Sequence, residues 1–219
     1  MSDRRLATIG SLLALSAFSV VAVLVRVGYT GSGAGLNLVW NLVLAWVPFV
    51  LALLVYDGVR RGARRGALVA GSLLWLLFFP NAPYLVTDFG LLEGWEGAPV
   101  WFDVVVVAGP AWAGLALGFA SLYLMHGVAA RALGTMTAWL LVPCALALAS
   151  FGIYLGRFER WNSWDVFANP HRLAGDALER LVEPRPLAVT VLFTGFLTVS
   201  YLVFYSFVRL GTAERADRR

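Results

Sequence analysis

A chain of 219 residues that is 60% hydrophobic and only 14% charged is not an ordinary soluble domain, for which about 45–50% apolar and about 25% charged residues are usual. Its mean hydropathy of +0.76 places it among integral membrane proteins. The formal charge of +4 comes wholly from arginine at the ends of apolar segments, where membrane topology accounts for it and nucleic acid is not needed as a partner.

At about 20 residues per span, five to seven helices fit, so residues 1–219 are expected to form a single transmembrane domain. Six apolar segments emerge in chain order. The first runs from Leu6 to Val27 behind Arg4 and Arg5; it is too long for the apolar stretch of a signal peptide, so an uncleaved span is expected. The second, Leu36 to Tyr56, carries Asn41 and Pro48 and ends before Arg60, Arg61, Arg64 and Arg65. The third, Ala67 to Val86, contains FFPNAPYLVTD, in which Pro80 and Pro83 lack backbone donors and should kink or unwind the helix. Carbonyls freed there need partners. Asn81 can supply one as a purely structural role, or it can form part of a site, and the residues weigh both equally.

The fourth span, Phe102 to Met125, begins at Asp103 and holds Gly114 and Gly118 four residues apart, a spacing that permits close helix packing. The fifth, Leu133 to Leu155, contains Pro143 and the single Cys144, expected to be a small buried hydrophobe. The connection 156–186 follows, with five arginines and five acids. Within it Asn169-Pro170 looks like a helix start, and Leu173, Ala177, Leu178, Leu181 and Val182 repeat at helical spacing. A short amphipathic helix over about 170–183 is predicted to lie on the membrane surface. The sixth span is Leu187 to Val208, followed by Arg209, Arg215, Arg218 and Arg219.

Helix is the only state for such spans, since lipid offers no hydrogen-bond partners for the backbone. The expected fold is an all-α polytopic bundle of six transmembrane helices. Arginine-rich ends place both termini in the cytoplasm and put the first, third and fifth connections outside. Trp95, Trp101, Trp161 and Trp164 then form an external aromatic belt.

On that topology, polar side chains gather on the external side. Asn41, Asn81, Tyr84 and Thr87-Asp88 come from the second and third spans, Asp103 from the fourth, and Arg157, Arg160, Asn162 and Asp165 from the segment LGRFERWNSWD after the fifth. Ionisable groups at a bilayer boundary are functional candidates. Asp88, Asp103 and Asp165 are the candidate catalytic acids or bases; Asn41, Asn81, Tyr84, Arg157, Arg160 and Asn162 are the candidate binding residues. The three aspartates could converge on a divalent cation with asparagine oxygens, although the spacing matches no metal signature and leaves metal and cofactor unknown. Pairing with Arg157 and Arg160 is the commoner arrangement. Arginines left free would bind the phosphate or carboxylate of a lipid head group. His126 and His171 fall on opposite sides of the bundle, and no serine sits in a nucleophile elbow.

WNLVLAWVP (Trp40 to Pro48), FFPNAPYLVTD, Trp101-Phe102-Asp103 and GIYLGRFERWNSWD (Gly152 to Asp165) together resemble the bacterial membrane proteins grouped as domain of unknown function 1361. The resemblance runs from the second span through the connection after the fifth. It implies a multi-pass protein of the bacterial inner membrane and brings no activity, cofactor or catalytic residue. Two functional readings follow. One is an enzyme or binding protein acting on a lipid-linked or anionic head group at the external leaflet. The other is a non-catalytic membrane subunit or small transporter in which the same polar residues hold helices together.

Overall fold

The computed structural model describes residues 3–216, with Arg4 and residues 212–216 described by backbone alone. The charge expectations on Arg4, Arg215, Arg218 and Arg219 lie outside what it describes. All regular structure among the described residues is helical: α1 Asp3–Thr30, α2 Leu36–Arg60, α3 Arg65–Phe78, α4 Asn81–Tyr84 continuing into a 3-10 stretch Leu85–Gly94, α5 Val100–Leu133, α6 Thr135–Phe158, α7 Asp165–Ala168, α8 Pro170–Arg180 and α9 Pro184–Ala216. Six segments are long and apolar enough to cross a membrane: Arg5–Thr30, Leu36–Arg60, Arg65–Gly94, Val100–Leu133, Thr135–Phe158 and Pro184–Gly211. They coincide with the six predicted spans, so this is a multi-pass helical membrane protein.

The chain falls into two compact units, divided within α5 between Ser121 and Leu122. In the first, α2 is central, packing against α1, α3 and α4. Trp46 donates its indole N–H to the Ser16 hydroxyl at 3.1 Å, tying α2 to α1, and Trp75 donates to Ser121 at 3.2 Å, tying α3 to α5. At one end of this unit Arg5 and Asp57 form an ion pair at 2.8 Å.

The glycines of α5 have the role their spacing suggests. A Cβ at Gly114 would collide with the Ala82 carbonyl oxygen and come within 2.7 Å of Leu85 Cδ1, so only glycine lets α5 approach the broken third span. At Gly118 the added carbon would meet the Ala82 Cβ at 3.3 Å, a tight but softer contact.

In the second unit α6 packs along α9. His126 lies at the centre of an aromatic nest with Trp139, Tyr201 and Tyr205; its Nδ1 shares a hydrogen bond with the Tyr201 hydroxyl at 3.2 Å. Cys144 is exposed rather than buried. Apolarity along a spanning helix does not reveal which face is inward, because lipid accepts the same residues as a protein core.

Candidate functional site

The third span breaks where its prolines require it. Pro80 has no N–H, α3 stops at Phe78, and the Ala82 N–H turns to the Phe79 carbonyl at 3.2 Å instead of reaching one residue further back. That leaves the Phe78 carbonyl without its helical donor, and the Asn81 side-chain amide donates to it at 2.9 Å. This is the structural one of the two roles that the sequence left open for Asn81. The helix continues as a single α turn and then as 3-10 to Gly94, eight residues beyond the expected end at Val86.

Asn81, Tyr84 and Asp88 recur at three- and four-residue intervals on this segment. Asp88 is fully buried, and Asn41 of α2 donates to its Oδ2 from Nδ2 at 3.1 Å. Thr87 bonds back to the Tyr84 carbonyl at 2.7 Å. Of the predicted residues in the first unit, Asn41 and Asp88 are therefore in direct contact, while Asn81 and Tyr84 lie earlier on the same segment as Asp88.

Asp103 has a different neighbour from the one expected. Its Oδ1 accepts from Arg26 Nε at 2.6 Å and its Oδ2 from Arg26 Nη2 at 3.4 Å. Arg26 is completely buried, and its remaining donors reach the Ala34 carbonyl at 3.2 Å and the Glu96 carbonyl at 3.4 Å. The Trp95 ring lies 4.0 Å from the guanidinium carbon, a cation–π contact. Trp95 in turn rests on Gly35, whose φ of 98° and lack of a side chain let the indole within 3.1 Å of where a Cβ would stand. One arginine thus clasps the 31–35 and 95–99 connections to the first turn of α5. Below it Val23, Leu38, Val106 and Val107 form a buried cluster. Arg26 was not among the residues the sequence singled out, and Trp95 was expected to be a belt residue. The signal was present: a lone arginine inside VAVLVRVGY must find a counter-charge.

The second unit holds Arg157, Arg160, Asn162 and Asp165. Asp165 closes a turn, its Oδ2 accepting from the Asn162 backbone N–H at 2.7 Å and from the Asn162 side chain at 3.4 Å. Arg160 has a φ of 60°, the only non-glycine residue with positive φ among those described, and is exposed. It makes no ion pair or hydrogen bond with another described side chain. Arg157 is half-buried and engaged. Nearby, Arg180 pairs with Glu183 at 2.6 Å and with Glu159 at 3.0 Å. The Glu183 hydrogen bond, then the Glu159 charge, raise its pKa above the ordinary arginine value, so it stays cationic at any pH the protein meets. Among the described residues, no three of His, Cys, Asp and Glu gather as a metal-ligand set.

Residues 40–200 match the family described as Protein of unknown function (DUF1361). No curated protein and no solved structure matches the chain.

Proposed function

The chain belongs to the DUF1361 family, and on that premise we propose that it is a bacterial inner-membrane protein that binds, and through Asp88 processes, an anionic or lipid-linked head group at the external side. The observation that carries the reading is Asp88 itself, a wholly buried carboxylate in a spanning segment, held by Asn41 where the helix is broken. A carboxylate at that depth is expensive to keep, and broken helix in a span persists where it is buried or lines a wet cavity. Among the three candidate acids we assign the base role to Asp88 on its complete burial within a spanning segment. Asn81 and Tyr84 precede it on the same segment. In the second unit, considered by itself, Arg160 supplies an accessible guanidinium for a phosphate or carboxylate, with Arg157 and Asn162 beside it in sequence.

The test uses the purified full chain in detergent, titrated with dihexanoyl phosphatidate or dihexanoyl phosphatidylcholine and followed by tryptophan fluorescence. Phosphatidate should bind selectively, and Arg160→Gly should weaken it about ten-fold, the effect of one charge-assisted hydrogen bond. Phosphorus NMR of the incubated lipid follows head-group conversion, which Asp88→Asn should abolish. Equal binding of the two lipids, or conversion that survives Asp88→Asn, would sink the reading.

The Arg26–Asp103 clasp favours the second reading at its own location, because a closed ion pair with its donors used holds segments together and leaves nothing for a ligand. A non-catalytic subunit or small transporter built throughout on that pattern would show no lipid selectivity in the same titration.

A further inference from the structure

Helix α8 leaves most of its apolar arc uncovered by protein. Its apolar arc runs through Leu173, Ala177 and Leu178 and continues into the following turn at Leu181 and Val182. The inward side carries Leu173 and Ala177 together with Asp176 and Arg180. Polar partners set the roll of the helix: Asp176 accepts the Trp161 indole N–H at 3.1 Å, and Arg180 reaches back to Glu159 at the end of α6. The consequence is that Leu178 is 67% exposed and Val182 81%, with Leu181 and, on α7, Phe167 uncovered as well. These side chains belong to the segment that joins two spanning helices, α6 and α9, so chain continuity holds them at a bilayer boundary.

Charge identifies what covers them. Arg172 and Arg185 are exposed and form no ion pair among the described residues; Glu159 and Glu183 are taken by Arg180 and Asp176 by Trp161, which leaves these two cations against the single exposed acid Glu179 of α8. Each free guanidinium lies over an aromatic ring, Arg172 at 5.8 Å from the Trp161 ring and Arg185 at 5.2 Å from the Phe158 ring. Aliphatic side chains beside unpaired guanidinium groups are the pattern of a segment seated in the head-group layer, with its apolar residues at the acyl boundary and its cations at lipid phosphates. We propose that the α7–α8 segment is a membrane-seated arm that selects anionic phospholipids of the adjoining leaflet, with Leu178, Leu181 and Val182 inserted and Arg172 and Arg185 on the phosphates. The surface is independent of Asp88 and Arg160 and stands or falls without them.

The experiment places a bimane label at position 182 of the full chain (Cys144→Ser, Val182→Cys) in phosphatidylcholine vesicles. These contain a small fraction of either doxyl-labelled phosphatidylglycerol or doxyl-labelled phosphatidylcholine. The label should be shielded from aqueous iodide and quenched by lipid-borne doxyl, more strongly by the anionic lipid. At about five-fold enrichment per arginine, Arg172→Gln/Arg185→Gln should remove the preference for phosphatidylglycerol, and Arg172→Lys/Arg185→Lys should keep most of it. Iodide access to position 182 overturns the proposal, as does equal quenching by the two doxyl lipids. So does shielding from both quenchers, which would mark a protein partner or a second copy on this face.

Discussion

Removing one member of the Arg26–Asp103 pair should be among the most damaging single changes in the chain. Arg26 is 0% and Asp103 4% exposed, and the closest contact between them is 2.6 Å. With Asp103→Leu, a buried guanidinium keeps only two carbonyls at 3.2 and 3.4 Å and the face of Trp95, and loses its counter-ion. Breaking a buried pair in this way costs about 3–5 kcal/mol, because the orphaned charge stays in a low-dielectric site. Arg26→Met should cost a similar amount through the orphaned carboxylate. Replacing both at once removes both charges, and such swaps are often near neutral. The Ala34 and Glu96 carbonyls lose their donors in the double variant, at about 1 kcal/mol each where water does not replace them. The double variant Arg26→Met/Asp103→Leu should therefore recover most of what either single change loses, with a coupling energy of roughly 3 kcal/mol or more. Unfolding in mixed micelles by dodecyl sulfate titration gives the four free energies. Simple additivity of the two single changes, or single variants within about 1 kcal/mol of the parent, would refute the assignment of Arg26 as a buried clasp.

Gly114→Ala drives a methyl group into the Ala82 carbonyl and should cost about 1–3 kcal/mol as overpacking, whereas Gly118→Ala, meeting only a side-chain carbon at 3.3 Å, should cost distinctly less; thermal denaturation in detergent ranks them. Arg160→Gly should leave stability unchanged or raise it by up to about 1 kcal/mol, because glycine tolerates a φ of 60°, while Arg160→Ala keeps the backbone strain; comparing their melting temperatures separates the backbone role from that of the guanidinium.

The six spans were legible because hydropathy over about 20 residues is a strong, local signal. The break in the third was legible too, since Pro80 and Pro83 cannot donate, and Asn81 was recognised as a partner for the carbonyl they free. The extension of that span to Gly94 was not, because Asp88 and Glu93 make the 3-10 stretch read as a loop. The pairing of Arg26 with Asp103 joins residues 77 apart in sequence, and helical periodicity carries no information on such contacts. The roll of α8 rests on contacts of the same long-range kind. Its apolar arc is visible in the sequence, but which side faces inward was decided by the Trp161 indole and the Glu159 carboxylate, which lie on other elements. Cys144 shows the same limit from the lipid side, where an apolar run leaves inward and outward faces alike.

The length of α5 has a consequence for the membrane that holds it. Between Asp103, fixed by Arg26 at one end, and Arg131 in the last turn, a straight helix rises about 42 Å. That matches the roughly 40–45 Å of a bilayer measured through both head-group layers, against about 30 Å of hydrocarbon. Taken as straight through Pro110, an upright α5 would reach from one head-group layer to the other. A thinner bilayer can be met by tilt, and at about 40° the two charges are still some 32 Å apart along the membrane normal. A thicker one cannot be met by stretching, since the helix has no spare rise to give. Mismatch at α5 is thus met from one side by the helix, which tilts, and from the other by the lipid, which thins around it at a fraction of a kcal/mol per Å.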